Sequence, residues 1–322
     1  MTGVLIRTAA AAVIAILITI IMAPLVIPFL KRLKVGQKIR DDGPQSHLIK
    51  SGTPTMGGII IATAVMAASI IMAGFNREVL VCVFIMLAFG AIGFWDDYIK
   101  VVLSRSLGLR AREKLGLQLI IGVLFGLFLL FGFQRGTELL IPFSGWSVDI
   151  SYFYILFLVL VMMGTTNGVN LNDGLDGLAS GVTFFVALAL IIVCIKMGHY
   201  DLTVFCGALA GACVGFWIFN RYPARIFMGD TGSMALGGAV AAVAALTRSE
   251  LALIIIGGVY VIETLSVILQ VFSFHAFRKR IFLMAPLHHH FEIKGWPETK
   301  VVYFFWGLSM VFCLLGVLTI RV

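Results

Sequence analysis

Long apolar stretches alternate with short polar ones along this chain. Charge-free runs occupy 8–30, 51–76, 79–95, 115–134, 150–172, 177–195, 202–220, 231–247 and 301–320, and a tenth, 251–274, is interrupted only by Glu263. A hydrocarbon core of about 30 Å needs roughly 20 apolar residues in helical form. Backbone groups in lipid must be satisfied within the protein, so each run predicts a helix rather than a strand. The 231–247 run is short and rich in Gly and Ala, which leaves its limits loose. The pattern predicts an all-α integral membrane protein with ten transmembrane helices, built as a single polytopic domain over 1–322. The opening run is too long for the apolar core of a signal peptide and no A-x-A site follows it, so it reads as a retained first helix.

Composition agrees. Of 322 residues, 60% are apolar and only 12% charged, against about 25% charged in an average soluble domain. That argues against a soluble enzyme, a disordered chain and a fibrous repeat. The five cysteines (82, 194, 206, 213 and 313) all lie inside apolar runs and read as small core hydrophobes, not as a disulfide frame or metal cluster.

A net charge of +8 raises the question of nucleic acid, but its distribution answers otherwise. With ten spans, 18 of the 24 Lys and Arg fall on one side. The other six are Arg7, Arg77, Arg135, Lys196, Arg248 and Arg321. Basic loops mark the cytoplasmic side. Both termini are therefore expected on the extracytoplasmic side, with cytoplasmic loops near 31–50, 96–114, 167–176, 220–230 and 275–300. No nucleic-acid partner is implied.

The unusual polar residues gather on that cytoplasmic side. Asp96 and Asp97 end the third run, and one more helical turn would put Lys100 on the face of Asp96. Paired carboxylates at a membrane edge repel unless a proton or cation intervenes, and Mg²⁺ with phosphate is a natural resolution. A solvated helix end is the plain alternative. The string NGVNLNDGLDG (167–177) carries Asn170, Asp173 and Asp176 without one Lys or Arg. These three share a face if the segment is helical. In a loop, the glycines let a ligand approach the backbone, or Asp176 simply caps the sixth helix. Asp230 is either the N-cap of the eighth helix or part of a phosphate or metal site at its N-terminus. Phe227 stacks a base or packs in the interface. The run His288, His289, His290 cannot face one ion from a regular element, which speaks against zinc and for phosphate or sugar binding by one or two of them. Neither G-x-x-x-x-G-K-[ST] nor G-x-G-x-x-G occurs. Glu263, an ionisable group inside a run, is a functional residue or a buried structural partner.

Taken in order, GTPTMGG (52–58), GFWDDYIK (93–100), NLNDGLDGLA (170–179), FNRYPARIFMGDTGS (219–233), ETLSVILQ (263–270) and MAPLHHHFEIKGWPE (284–298) resemble the bacterial phospho-N-acetylmuramoyl-pentapeptide transferases over nearly the whole chain. Asn172 departs from the Thr common in that family. The resemblance implies transfer of phospho-N-acetylmuramoyl-pentapeptide from its uridine diphosphate carrier to undecaprenyl phosphate, with Mg²⁺, giving lipid I and uridine monophosphate. It implies an enzyme of the bacterial inner membrane, with its site facing the cytoplasm, and a homodimer. By motif match Asp230 is the principal Mg²⁺ ligand, with Asp96 and Asp97 beside it and Asp96 as the base toward the lipid phosphate. Lys100 and Lys114 would hold phosphates. Asn170, Asp173, Asp176, Asn220, Phe227, Gln270 and His288 to His290 would line the nucleotide-sugar side. Two rivals remain at this point: another polyprenyl-phosphate N-acetylhexosamine-1-phosphate transferase, which would lack the PTMGG and MAPLHHHFE strings, and a secondary transporter, which would carry its charges at mid-membrane.

Overall fold

A computed structural model describes residues 1–32, 52–101 and 108–321. Most of the loop expected at 31–50 and part of that at 96–114 therefore lie outside the described residues. The helices are α1 (Thr2–Arg32), α2 (Gly58–Ala73), α3 (Arg77–Val101), α4 (Ala111–Leu127), α5 (Phe153–Asn172), α6 (Leu178–Lys196), α7 (Tyr200–Asn220), α8 (Gly229–Leu246), α9 (Glu250–Ile256), α10 (Gly258–Phe277), α11 (Leu287–Ile293) and α12 (Glu298–Thr319). One π turn, Phe128–Gly132, prolongs α4. An antiparallel hairpin, β1 (Glu138–Leu140) with β2 (Ser147–Asp149), is a small exception to the all-helical expectation.

Among the described residues, nine helices are long and apolar enough to cross a membrane. The second run is the exception, because only its later part is helical. Gly57 and Gly58 donate their N–H groups to the carbonyls of Phe227 and Met228 (both 2.9 Å), and Phe227 donates to Pro54 (2.8 Å). Most of the GTPTMGG segment thus enters as non-helical chain tied to the 227–228 backbone. This leaves α2 with 16 residues, about 24 Å at 1.5 Å per residue. The 251–274 run is likewise broken at Gly257, into the short α9 and the longer α10.

At the centre stands α8, where every residue from Thr231 to Leu246 is buried. Its Gly and Ala residues let α3 and α5 approach closely, which is what small residues do between membrane helices. Large apolar side chains on α1, α5, α10 and α12, such as Leu25, Leu160, Phe272 and Leu314, face outward.

Five of the six basic residues assigned to the minority side bond at one end of the bundle. Arg7 meets Asp201 (3.0 Å), and Asn76 donates to the same carboxylate (2.8 Å). Arg77 donates to the carbonyl of Gly132, Arg135 pairs with buried Glu250, and Arg248 pairs with Glu138 (2.9 Å). Lys196 donates to the carbonyls of Val317 and Ile320 (both 3.0 Å). The opposite ends of α3, α5 and α8, with the start of α4, carry the unusual carboxylates and amides.

Candidate active site

The site is built where two helix backbones touch. Gly93 on α3 lies so close to the first turn of α8 that a Cβ there would stand 2.0 Å from the carbonyl oxygen of Asp230. Only glycine allows this approach. One turn further along α3, Asp97 reaches the open N-terminus of α8. Its Oδ1 accepts the N–H of Asp230 (3.2 Å), and its Oδ2 accepts both the N–H (2.9 Å) and the hydroxyl (2.7 Å) of Thr231. A helix leaves its first N–H groups without intrahelical partners, and here a carboxylate from another helix satisfies two of them. Asp230 is therefore not the N-cap of α8, as one sequence reading had it; it sits inside the first turn, and Asp97 does the capping.

Asp230 is the hub. Lys100 (3.0 Å) and Lys114 (2.9 Å) both donate to its Oδ2, while Asn170 donates to its Oδ1 (2.8 Å). The same amide of Asn170 donates to Ser233 (2.8 Å). Asp96 pairs with Lys100 one turn away, as the i,i+4 spacing predicted, and its Oδ1 accepts the N–H of Leu109 (2.8 Å). Asp96, Asp97 and Asp230 each bring an oxygen within 4.8 Å of the others. Three carboxylates against two ammonium groups leave the cluster short of positive charge, and closely placed carboxylates do not all ionise comfortably without a cation.

Asp173 adjoins this cluster from the loop after α5. It accepts a backbone hydrogen bond from Gly229, but burial, followed by the negative charges of Asp230, Asp97 and Asp176, holds its carboxyl well above the usual carboxylate range. The helix stops at Asn172, so Asn170 lies in the last turn of α5 while Asp173 and Asp176 lie in the loop beyond it, and the three do not share a helical face. Asp176 does not cap α6. The residue before that helix is Gly177, and Asp176 accepts the N–H of Ala224 (2.9 Å) while its own N–H goes to Glu298 (2.8 Å).

Other expected site residues serve as ties between loops. Asn220 accepts the N–H of Gly177 (3.0 Å) and donates to the carbonyl of Ile226 (2.9 Å). Gln270 accepts the N–H groups of Ile281 (3.0 Å) and Phe282 (2.9 Å) and donates to the Phe282 carbonyl (2.9 Å). Phe227 is half-buried, and its N–H donates to the carbonyl of Pro54. The three histidines have different surroundings, although the rings of His288 and His289 lie 4.2 Å apart. His288 is fully buried, His289 bonds Glu292 (2.7 Å), and His290 accepts the N–H of Leu283 (3.1 Å). Sequence reasoning missed Ser233, Thr231, Glu298 and the mutual amide pair of Gln118 and Asn167. Thr231 and Ser233 lie within the GDTGS string and were legible there; the others carry no local signal.

The chain matches the family model described as glycosyl transferase family 4 over residues 79–248, and the signature described as phospho-N-acetylmuramoyl-pentapeptide-transferase signature 1 over residues 50–61. A phospho-N-acetylmuramoyl-pentapeptide-transferase of Heliobacterium modesticaldum is 53% identical over 308 residues, covering 95% of each chain. One of Desulforamulus reducens is 51% identical over 314 residues, covering 96% of this chain and 94% of its own. The chain belongs to the phospho-N-acetylmuramoyl-pentapeptide transferase family. A further relative of that description, from Moorella thermoacetica, is 48% identical over 304 residues, covering 94% of this chain and 96% of its own. The protein is thus a multi-pass membrane transferase of peptidoglycan synthesis. Neither a sister transferase nor a secondary transporter fits this relationship.

Proposed function

We propose that Asp96, Asp97, Asp230, Lys100 and Lys114 form the centre at which phospho-N-acetylmuramoyl-pentapeptide leaves its uridine diphosphate carrier for undecaprenyl phosphate, releasing uridine monophosphate and forming lipid I. The observation that carries this reading is the convergence of Lys100, Lys114 and Asn170 on Asp230 beside two further carboxylates. Donor and acceptor are both anionic phosphates, so their encounter needs fixed positive charge and positioning more than covalent help.

The donor set fits Mg²⁺. The ligand atoms are all carboxylate oxygens within 4.8 Å of one another, and Mg²⁺ favours one or two carboxylates together with phosphate oxygens and water. Asp230 and Asp96 would hold the ion, with Asp97 beside them fixing α8. When bound, Mg²⁺ supplies neutralisation of phosphate charge. The chain's own groups do the rest. Lys100 and Lys114 bind phosphate oxygens, Asn170 orients the Asp230 carboxylate, and Asp96 takes a proton from the acceptor phosphate. Asp173, Asp176, Phe227 and His288 to His290 line the nucleotide-sugar side. Asn220 and Gln270 shape that side by fixing the 226 and 281–282 backbone.

The site belongs at the cytoplasmic face of the bacterial inner membrane, where a soluble nucleotide and a lipid acceptor can meet. Counting α2 as a crossing gives ten, with both termini extracytoplasmic. The 18 to 6 division of Lys and Arg supports this orientation, as does the clustering of the minority residues at the far end of the bundle. The helices form one polytopic domain, and two such chains form the working dimer.

Purified protein incubated with the uridine-linked muramoyl pentapeptide, a polyprenyl phosphate and Mg²⁺ releases uridine monophosphate on this reading. Asp230→Asn abolishes that release, and EDTA removes it from the wild type reversibly. Full Mg²⁺-dependent turnover by Asp230→Asn would remove the metal assignment.

A further inference from the structure

Glu263 lies on α10, fully buried, where a carboxylate is costly unless it has partners. Among the described residues its carboxylate takes its hydrogen bonds from α11, the short helix that carries the histidines. Its Oε2 accepts the N–H of Leu287 (2.6 Å) and its Oε1 accepts the N–H of His288 (3.2 Å). The same Oε1 lies 3.3 Å from Nδ1 of His288. One side chain thus ties the first turn of α11 by its backbone and stands beside the ring that this turn presents.

The ring is held from several sides. His288 is fully buried, and its centroid lies 4.2 Å from that of His289. Among the described residues neither ring nitrogen has a hydrogen-bond partner. Nε2 faces Gly174, where an added Cβ would stand 2.2 Å away. Gly174 is the residue after Asp173, whose carboxyl accepts the Gly229 N–H next to Asp230. A continuous set of contacts therefore runs from mid-α10 through the His288 ring to the loop 173–176. A neutral cap would satisfy two backbone N–H groups equally well. A carboxylate does more, because its charge also stands 3.3 Å from Nδ1 on one edge of the ring, with Nε2 on the other edge toward Gly174.

We propose that Glu263 is a positioning residue: it fixes His288 so that the Nε2 edge sets the shape of the 173–176 loop for the uridine-nucleotide donor. This rests on the reading that the loop and His288 line the donor side. Glu263 touches no reacting atom, so its loss acts on donor affinity and not on the chemical step.

The test has a structural arm and a kinetic arm, both on the full-length purified protein. Diethylpyrocarbonate modification, read residue by residue by mass spectrometry, compares buried His288 with exposed His275. In the wild type His275 reacts and His288 is protected. In Glu263→Gln, His288 reacts at least fivefold faster while the His275 rate is unchanged. In uridine monophosphate release, Glu263→Gln raises the donor KM about tenfold with kcat within twofold, and Glu263→Asp restores part of the loss. The double variant Glu263→Gln/His288→Asn has the KM of His288→Asn alone, because one residue acts through the other. Protection of His288 in Glu263→Gln overturns the proposal, as do multiplicative effects of the two substitutions or a loss confined to kcat. If Glu263→Gln does not fold, Gly174→Ala pushes the same ring from the opposite side. Raised His288 reactivity and donor KM then support the proposal, and unchanged values overturn it. A wild type that releases no uridine monophosphate sinks the functional reading, while the labelling arm still decides whether Glu263 positions His288.

Discussion

The Asp97 carboxylate on α3 accepts two hydrogen bonds from Thr231 on α8, one from its N–H and one from its hydroxyl. The first of two adjacent acids faces the ammonium of Lys100; the second is committed to a neighbouring helix. The pair therefore divides into a residue placed for charge chemistry and a residue that sets where Asp230 stands.

That division gives a first expectation. Thr231→Val removes only the hydroxyl bond to a buried carboxylate, a loss of about 1.5–3 kcal/mol. It lowers the melting temperature in detergent and leaves Mg²⁺-dependent turnover measurable. Asp97→Ala removes the bonds to both Asp230 and Thr231, so it lowers the melting temperature further and abolishes turnover. A stable, active Asp97→Ala protein would show that α8 needs no such cap.

Lys100 and Lys114 reach the same oxygen of Asp230 from different helices. Replacing either with Gln raises the concentration of phosphate substrate needed for half-maximal rate, and the double replacement removes turnover. Lys114→Arg restores little, because a planar guanidinium does not occupy the place of a compact ammonium. Steady-state kinetics with donor and acceptor varied in turn separates the two lysines.

Gly93→Ala places a methyl group against the Asp230 backbone, where a Cβ would be 2.0 Å from the carbonyl oxygen. Neither backbone can yield without separating α3 from α8, so the cost is about 3 kcal/mol or more. Yield of folded protein by size-exclusion chromatography and melting temperature both fall. Ala at Gly116, which has open space around it, is the matched control and leaves both unchanged.

Asp173 gives an expectation in pH. Its carboxyl is held above the ordinary range in the folded protein by burial and by Asp230, Asp97 and Asp176. The folded state therefore keeps a proton that the unfolded chain releases above about pH 4. The wild type loses stability as pH rises from there toward the folded-state value. Asp173→Asn carries no such proton. In EDTA its melting temperature exceeds that of the wild type at pH 7.5, and the gap closes as pH falls to 4. A gap independent of pH would mean that the carboxyl is not held protonated.

Much of this was legible in the chain. Apolar runs located the long helices, and the i,i+4 spacing of Asp96 and Lys100 gave their pairing. Sorting carboxylates and amides by side brings Asp96, Asp97, Asn170, Asp173 and Asp230 to one end on sequence alone. What escaped were the backbone partnerships. Hydropathy reports the transfer of side chains into lipid, and Pro54 to Gly58 are apolar enough to pass for helix. The Pro54 carbonyl and the N–H groups of Gly57 and Gly58 instead pair with residues 227 and 228, far along the sequence. Asn220 and Gln270 have the chemistry of ligand-binding residues, and here that chemistry meets backbone. Asp97 as a cap for α8 was beyond reach for the same reason: a cap supplied by another helix leaves no mark at its own position.

The burial of α8 has a mechanical consequence. A bilayer that thins, thickens or changes its acyl chains does work on the helices it touches, by tilting them or bending at their ends. From Thr231 onward, α8 shows lipid no surface to push on. Such deformation falls on α1, α10 and α12, while Asp230, at the head of the enclosed helix, keeps its register against Asp97.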